Sequence, residues 1–209
     1  AVVLVDHTAE VWTLVSQGLE RVDVVADNAG PELLVDLGLI AFLLEEGLVR
    51  QVHLHLKPTP FFVSDATVPD FRETVAALER SSQAGVRRIA ARLRDAEAVG
   101  RLTLHDHAFW TRSLFFTELP ADLRAELAQA GLLILKGDLN YRRLLEDRHW
   151  PPTTDLAAVT RSMPAPFVTL RTLKSDVIVG LPPGQAEALT AEDPEWRLNG
   201  RRGVIHLVR

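Results

Sequence analysis

Residues 22–40 read VDVVADNAGPELLVDLGLI, and the period of apolar side chains changes part-way along them. Val22, Val24, Val25 and Ala26 form a short apolar run of the kind a buried strand shows. Leu33, Leu34, Leu37 and Ile40 are then apolar at helical spacing. Pro31 stands at the first helical position, where its fixed φ is suitable and its missing N–H is not needed. Asp27-Asn28-Ala29-Gly30 lies between the two patterns. A carboxylate and an amide therefore sit side by side at the carboxyl end of a strand, where open α/β sheets bind ligands. The competing reading makes Asp27 a plain helix cap.

The same alternation continues outward. Ala1–Val5 is an apolar run, followed by Asp6-His7-Thr8 and a helical pattern through Val11, Trp12, Leu14, Val15 and Leu19. The first five residues are too apolar for a free end in water and are expected to enter the sheet or to pack under a neighbour. Glu45-Glu46-Gly47 ends the helix that began at Pro31. Val49–Lys57 alternates, with Val52, Leu54 and Leu56 on one side and His53, His55 and Lys57 on the other. His53 and His55 share a face, either as a metal-ligating pair or simply as the polar side of a strand. Pro58 and Pro60 break that strand, and Phe61–Asp65 reads as a second apolar run that delivers an Asp at its end. Helices are expected from Pro69 to about Ser82 and from Gly85 to Val99, the latter with an Arg-rich solvated face. Arg101–His105, Leu132–Leu135, Phe167–Leu170 and Gly203–Val208 read as strands. Pro120–Ala130 and Pro183–Thr190 read as helices. Strands alternating with helices predict an α/β sheet covered on both faces.

Composition narrows the class. At 209 residues and 47% hydrophobic, the chain can bury a sizeable core. A net charge of −5 argues against a broad nucleic-acid surface. No apolar run is long enough to span a bilayer and no signal peptide is visible, so no membrane partner is expected. Cysteine is absent, which removes disulfides, thiolate metal sites and a Cys nucleophile and fits a cytoplasmic setting. All but three of the 23 basic residues are Arg. The exceptions, Lys57, Lys136 and Lys174, each close or follow a strand-like run, as if a compact point charge were needed there.

Polar clusters fall at four expected strand ends: Asp27-Asn28, Asp65, Lys136 to Arg143, and Arg171 to Lys174. In a mostly parallel sheet those ends gather along one rim. Asp27, Asn28 and Asp65 offer oxygen ligands, which suit hard divalent ions, Mg²⁺ or Mn²⁺. Two carboxylates brought together there would repel unless a cation sat between them. Lys136, Arg142, Arg171 and Lys174 can neutralise phosphoryl oxygens. Asp138 and Asn140 can fix a polyhydroxylated leaving group or orient a water. Together these groups are what metal-assisted hydrolysis of a phosphate ester needs. Taken singly, each cluster could equally be helix caps and surface ion pairs.

Five stretches in order, VVADNAGPELLVDL, HLKPTPFFVSDAT, HDHAFWT, LKGDLNYRRLLEDRHW and LRTLKSD, resemble the metal-dependent damage-control phosphatases. More closely, they resemble the subgroup named after a proposed protein-carboxyl (acidic residue) methyltransferase. The resemblance implies a three-layer α/β/α sandwich with a mostly parallel, Rossmann-like sheet. It also implies hydrolysis of sugar phosphates such as fructose 1-phosphate, or of related phosphometabolites, with Mn²⁺ or Mg²⁺ as cofactor and Co²⁺ or Ni²⁺ as substitutes. Asp27, Asn28 and Asp65 match the family's metal ligands. Glu32, Asp138, Asn140, Arg171 and Lys174 match positions lining its substrate pocket. The expected catalytic set is Asp27, Asp65 and Lys174, with water attacking phosphorus in line and Lys174, beside Arg171, holding the non-bridging oxygens. Direct attack by Asp27 or Asp65, forming a phospho-aspartate, is the alternative.

Members of that family carry a mostly helical region before the first motif. The chain begins at Ala1 and its single methionine is Met163, so residues 1–209 are expected to form one catalytic domain lacking that region. An exposed apolar surface and self-association through it would follow. Rival functions fit less well. A short-chain dehydrogenase would place a Lys four residues after Tyr141, where this chain has Leu145. A methyltransferase using S-adenosylmethionine would carry a Gly-x-Gly turn, and no two glycines here are two positions apart. No Gly is followed by Lys, so there is no P-loop. A non-catalytic sugar-phosphate-binding domain would have no need of the Asp27, Asn28 and Asp65 set.

Overall fold

The run at residues 22–26 forms the middle of a sheet because both of its faces are covered, its one buried charge, Asp23, being paired with Arg21 and His55. In the computed structural model, which describes residues 2–209, Val22 and Val24 pack on one side and Val25 on the other, all buried. Among the described residues the regular elements are β1 (Val2–Asp6), α1 (Thr8–Ser16), β2 (Leu19–Val25), α2 (Pro31–Glu45), β3 (Val49–His55), α3 (Val68–Glu79), α4 (Ala84–Ala98), β4 (Leu102–His105), α5 (Ala121–Leu127), β5 (Leu132–Lys136), α6 (Gly137–Leu144), α7 (Leu156–Val159), β6 (Phe167–Thr172), α8 (Gln185–Glu192) and β7 (Arg202–Val208). Two single 3₁₀ turns, Ala108–Thr111 and Phe116–Glu118, join β4 to α5.

The strands form one seven-stranded sheet in the order β1-β7-β6-β5-β2-β3-β4. The five strands from β6 to β4 are parallel to one another. β7 is antiparallel to β6, and β1 is parallel to β7, so both edge-side strands run against the other five. Leu33, Leu37 and Ile40 of α2, with Phe71 and Val75 of α3 and Leu93 of α4, cover one face. The other face is closed by Phe109, Trp110, Phe116, Leu123, Leu127 and Tyr141. The result is the expected α/β/α sandwich.

Two local readings need correction. The first helix stops at Ser16, Gly18 turns the chain at φ +83°, and Leu19 opens β2 rather than closing α1. The run Phe61–Asp65 is not a strand: Val63 is fully exposed, Phe61 and Phe62 are largely so, and pairing is limited to a single bridge between Asn28 and Asp65. Its apolar composition resembles a strand, but the flanking Pro58 and Pro60 cannot donate to a ladder. At the other end of the chain, Val2–Asp6 enters the sheet as expected, with Val2 and Val3 exposed at its edge, while Ala1 lies outside the described residues. No described helix is long and apolar enough to cross a membrane.

Candidate active site

β2 is where strand order reverses, with β3 and β4 on one side and β5 and β6 on the other. The carboxyl ends of parallel strands flanking such a point leave a crevice for ligands. A cleft of about 530 Å³ opens there, its polar wall made of Asp27, Glu32, Lys136, Asp138, Arg171 and Lys174.

Asp27 follows β2. α2 begins at Pro31, preceded at the cap position by Gly30, whose φ is +67°, and the helix takes no side-chain cap. Asp27 is therefore not spent on capping. Its carboxyl is buried, and burial pushes its pKa up to about 6, against the pull of Lys57 and with help from the nearby charges of Glu32 and Asp65. Asn28 Nδ2 donates to Asp27 Oδ2 (2.9 Å) and Glu32 Oε2 (3.0 Å), while Asn28 Oδ1 accepts from Ser64 Oγ (2.6 Å).

The loop after β3 brings in Asp65. The backbone N–H groups of Phe61 and Phe62 donate to Asp65 Oδ2 at 2.9 and 2.7 Å, so the carboxylate folds its own loop. Its other oxygen, Oδ1, lies 2.7 Å from Lys57 Nζ. The same ammonium, only 3% exposed, is 3.7 Å from Asp27 Oδ1 and donates to the Asp27 carbonyl at 3.3 Å. The cation between Asp27 and Asp65 that the sequence seemed to demand is thus, in the first place, Lys57.

From β5, Lys136 reaches back to α2, 2.7 Å from Asp36 and 3.4 Å from Glu32. Burial opposes its charge, but Asp36 and Glu32 outweigh burial and hold its pKa above the ordinary lysine value. Gly137 follows at φ +84°, and a Cβ there would stand 1.9 Å from Asp27 Oδ2. Only glycine lets the start of α6 approach Asp27 so closely. Asn140 is 1% exposed and is not part of the cleft wall; its amide donates to the Lys136 carbonyl at 2.7 Å and braces the turn from β5 into α6.

From β6 come Arg171 and Lys174. Arg171 is 3% exposed and its donors are already committed: Nε to Asp138 Oδ1 (2.7 Å), Nη1 to the Val177 carbonyl, and Nη2 to Ser175 (3.0 Å to its carbonyl). Asp138 Oδ1 also accepts from Lys174 N at 3.2 Å, so the Asp138–Arg171 pair shapes the loop that carries Lys174. Lys174 itself is exposed in the cleft, and among the described residues it is the one lysine without an ion-pair partner. Arg142 is elsewhere, held on the surface by Asp147 at 2.8 and 2.6 Å.

Residues 1–189 match the family model described as the damage-control phosphatase ARMT1-like domain. The chain belongs to this family. It is 41% identical to damage-control phosphatase ARMT1 of Mus musculus over 97% of its own length and 49% of the relative's. The same protein of Danio rerio is 40% identical over 97% and 48%, and that of Homo sapiens 37% over 97% and 49%. The chain therefore spans about half the length of the curated relatives it matches. A crystal structure of a DUF89 family protein from Pyrococcus horikoshii shares the fold, with a TM-score of 0.51 and 19% identity over 83% of this chain and 46% of that one.

The donors around Asp27 fit the divalent cation that family membership implies. Their chemistry is hard oxygen, and the Asp27 pKa is raised first by burial and then by the Glu32 and Asp65 charges, against the pull of Lys57, a cost that a bound cation would relieve. Asn28 turns its amide nitrogen toward the carboxylates, and a half-turn of the amide would present its oxygen, a cation ligand, instead. Sequence reasoning marked Lys57 only as a rare point charge at a strand end and gave Asp36, Ser64 and Gly137 no role here. The available signals were a rare lysine at a strand end and a glycine between Lys136 and Asp138. Of the histidine pair, which shares a face of β3, His53 meets His105 and Glu126, while His55 Nε2 is bound to Asp23. Burial and Arg21 lower the His53 pKa, and burial with the adjacent imidazoles lowers that of His105.

Proposed function

We propose that this chain is the catalytic part of a metal-dependent phosphatase that hydrolyses small phosphorylated metabolites, with sugar phosphates of the fructose 1-phosphate kind as the substrate class. One observation carries the reading: an unpaired lysine, Lys174, shares a cleft with a carboxylate, Asp27, whose ionisation burial disfavours. A phosphate ester held with a hard cation complements both. Asp27, Asn28 and Asp65 would hold a divalent ion, Mg²⁺ or Mn²⁺, which supplies Lewis-acid polarisation of the phosphoryl group and acidifies water when bound.

The side chains divide the remaining work. Lys174 contacts the non-bridging oxygens and stabilises charge that builds on them as the phosphorus–oxygen ester bond breaks. Arg171 and Asp138 position Lys174 rather than touching phosphate, since the donors of Arg171 are already in use. Lys57 keeps Asp65 oriented toward Asp27. Glu32 and the α6 turn at Gly137 flank the space left for the sugar. Attack by water is favoured over attack by Asp65, because both Asp65 oxygens are engaged, one by Lys57 and one by two backbone N–H groups.

The test is phosphate release from a panel of sugar phosphates with Mg²⁺, Mn²⁺, Co²⁺ or Ni²⁺ added singly. Release is expected only with metal, and undiminished release in excess chelator would refute the reading. Single turnover in ¹⁸O-water should put label into phosphate and none into the protein; label in Asp27 or Asp65 would reassign the nucleophile.

A further inference from the structure

Among the described residues, one set of three His, Asp or Glu side chains brings its ligand atoms all within 4.8 Å of one another, and it is not the Asp27 set. It is His53, His105 and Glu126, near the carboxyl ends of β3 and β4 on the sheet's α5-covered face. His53 Nδ1 lies 2.9 Å from His105 Nε2 and 3.1 Å from Glu126 Oε1, and the last two are 3.8 Å apart. A tetrahedral ion with ligands at ~2.0–2.1 Å holds them about 3.3 Å apart, and these three separations straddle that value.

Proton placement alone serves the triangle poorly. A ring nitrogen carries either one proton or one lone pair. If His53 Nδ1 is protonated, a single hydrogen is divided between Glu126 and His105. If it is not, its lone pair faces the Glu126 carboxylate. A cation accepts all three lone pairs at once. The surroundings also suit ligation. The ring of His105 stacks between those of His53 and His55, at centroid distances of 4.7 and 4.9 Å, which fixes its plane. Arg21 Nη2 donates to Glu126 Oε1 at 2.7 Å and holds that carboxylate in place, while Asp23 takes up the guanidinium with bonds of 2.6 and 2.7 Å and offsets much of its charge. Hydrogen-bonded supports of this kind orient metal ligands. A cleft of about 360 Å³, bordered by His55, His105, Asp106, His107, Asp122 and Glu126, gives access from solvent and room for a fourth ligand such as water. It has no lining residue in common with the cleft at Asp27.

We propose that His53, His105 and Glu126 form a second cation site, for a borderline first-row divalent ion such as Zn²⁺, that clips the edge strand β4 and helix α5 to β3. Two imidazoles and one carboxylate select Zn²⁺, Co²⁺ or Ni²⁺ over Mg²⁺. The clip joins three elements distant in sequence and closes an edge of the sheet, so its effect is on stability and not on the phosphatase reaction.

The probe is Co²⁺, titrated into metal-free protein in a large excess of Mg²⁺, which occupies oxygen sites and leaves imidazole sites free. Wild type is expected to take up one Co²⁺ with the intense visible absorption of a four-coordinate nitrogen–oxygen site, and to melt at higher temperature with Zn²⁺. His105→Gln should lose the band. Glu126→Gln, at a partly exposed position that tolerates exchange, should weaken Co²⁺ binding by about tenfold or more. Asp27→Asn should keep the band, which separates this site from the one in the proposed catalytic cleft. Absence of the band in wild type overturns the proposal, and so does an unchanged Co²⁺ affinity in Glu126→Gln, whether or not His105→Gln folds.

Discussion

The Asp27 cleft and the His53 cluster use the same sheet in opposite ways. The cleft is assembled from residues just beyond strand ends, where loops set the direction of each side chain: Asp27 after β2, Lys57 and Asp65 after β3, Lys136 at the end of β5, Lys174 after β6. The cluster is built on strand faces, where the pleat sets direction: His53 on β3 and His105 on β4, with Glu126 laid over them from α5. The cleft has carboxylates, lysines and one free ammonium; the cluster has imidazoles and one shared carboxylate. Loops can bring unlike charges to a substrate and let them shift, which catalysis at a rim requires. A strand face offers fixed spacing and little freedom, which suits a permanent tie. The sharpest test of this contrast is which site governs turnover.

The largest effect is expected there. Asp27→Ala or Asp65→Ala should lower phosphate release by more than about a thousandfold while the protein stays folded, because both the cation and its neighbouring charges lose their anchor. His105→Gln should leave kcat/KM within about threefold. Steady-state kinetics on the three variants decides the matter. If the histidine variant is as inactive as the aspartate variants, the two clusters are not separable and the contrast fails.

Next is Lys174. Its removal takes away one charge-assisted contact to the transferring phosphoryl group, worth on the order of 3 kcal/mol or about a hundredfold in rate. Lys174→Arg should be poor as well, since a planar fork and a point charge differ in reach. Arg92→Ala is the control, since Arg92 pairs with Glu45 on the surface and is far from the cleft lining. A Lys174→Ala loss within about threefold of Arg92→Ala would remove Lys174 from the mechanism.

How much of this was legible beforehand depended on how local each signal is. The switch of period at residues 22–40 fixed β2 and α2 because each pattern is contained within one element. The rim residues could be gathered because parallel strands impose a common direction on their ends. Phe61–Asp65 misled because a short apolar loop reads like a strand, and only the missing ladder distinguishes them. The commitment of Arg171 could not be read, since Val177, Ser175 and Asp138 capture it through loop geometry. Glu126 was invisible as a partner of His53, being 73 residues away on a helix that reads as ordinary and amphipathic. Lys57 lay between: its rarity marked it, but its position between two aspartates is a tertiary fact.

Gly137 tests how closely the cleft is packed around its buried charge. Gly137→Ala combines a positive φ of +84° with a Cβ placed 1.9 Å from Asp27 Oδ2. The turn or Asp27 must move, at a cost of about 2–3 kcal/mol in stability. A lowered melting temperature together with weakened metal dependence is the expected pair of results. A variant as stable and as active as wild type would mean that α6 does not need its close approach to Asp27.

The smallest effect concerns Asp27 without its cation, and its sign is the informative part. The folded carboxyl has a pKa of about 6, above the 3.8 of the unfolded chain. Between those values the native state holds a proton that the unfolded state has released. Stability therefore falls as pH rises through that window, and the penalty is fully present above about pH 6. Asp27→Asn removes the charge and keeps the shape. In metal-free protein near neutral pH it should be more stable than wild type by on the order of 2 kcal/mol, the gain fading as pH falls toward about 4. Excess Mg²⁺ should reverse the order, because it neutralises the carboxylate in wild type and has less to bind in the variant. Zn²⁺ bound at His53 and His105 should stabilise both proteins alike. Melting curves at several pH values, with chelator, Mg²⁺ or Zn²⁺, separate the two sites in one experiment. If Asp27→Asn melts lower than wild type without metal at neutral pH, then Lys57 and the Asn28 amide already offset the burial of the Asp27 carboxylate, and a cation has little left to relieve there.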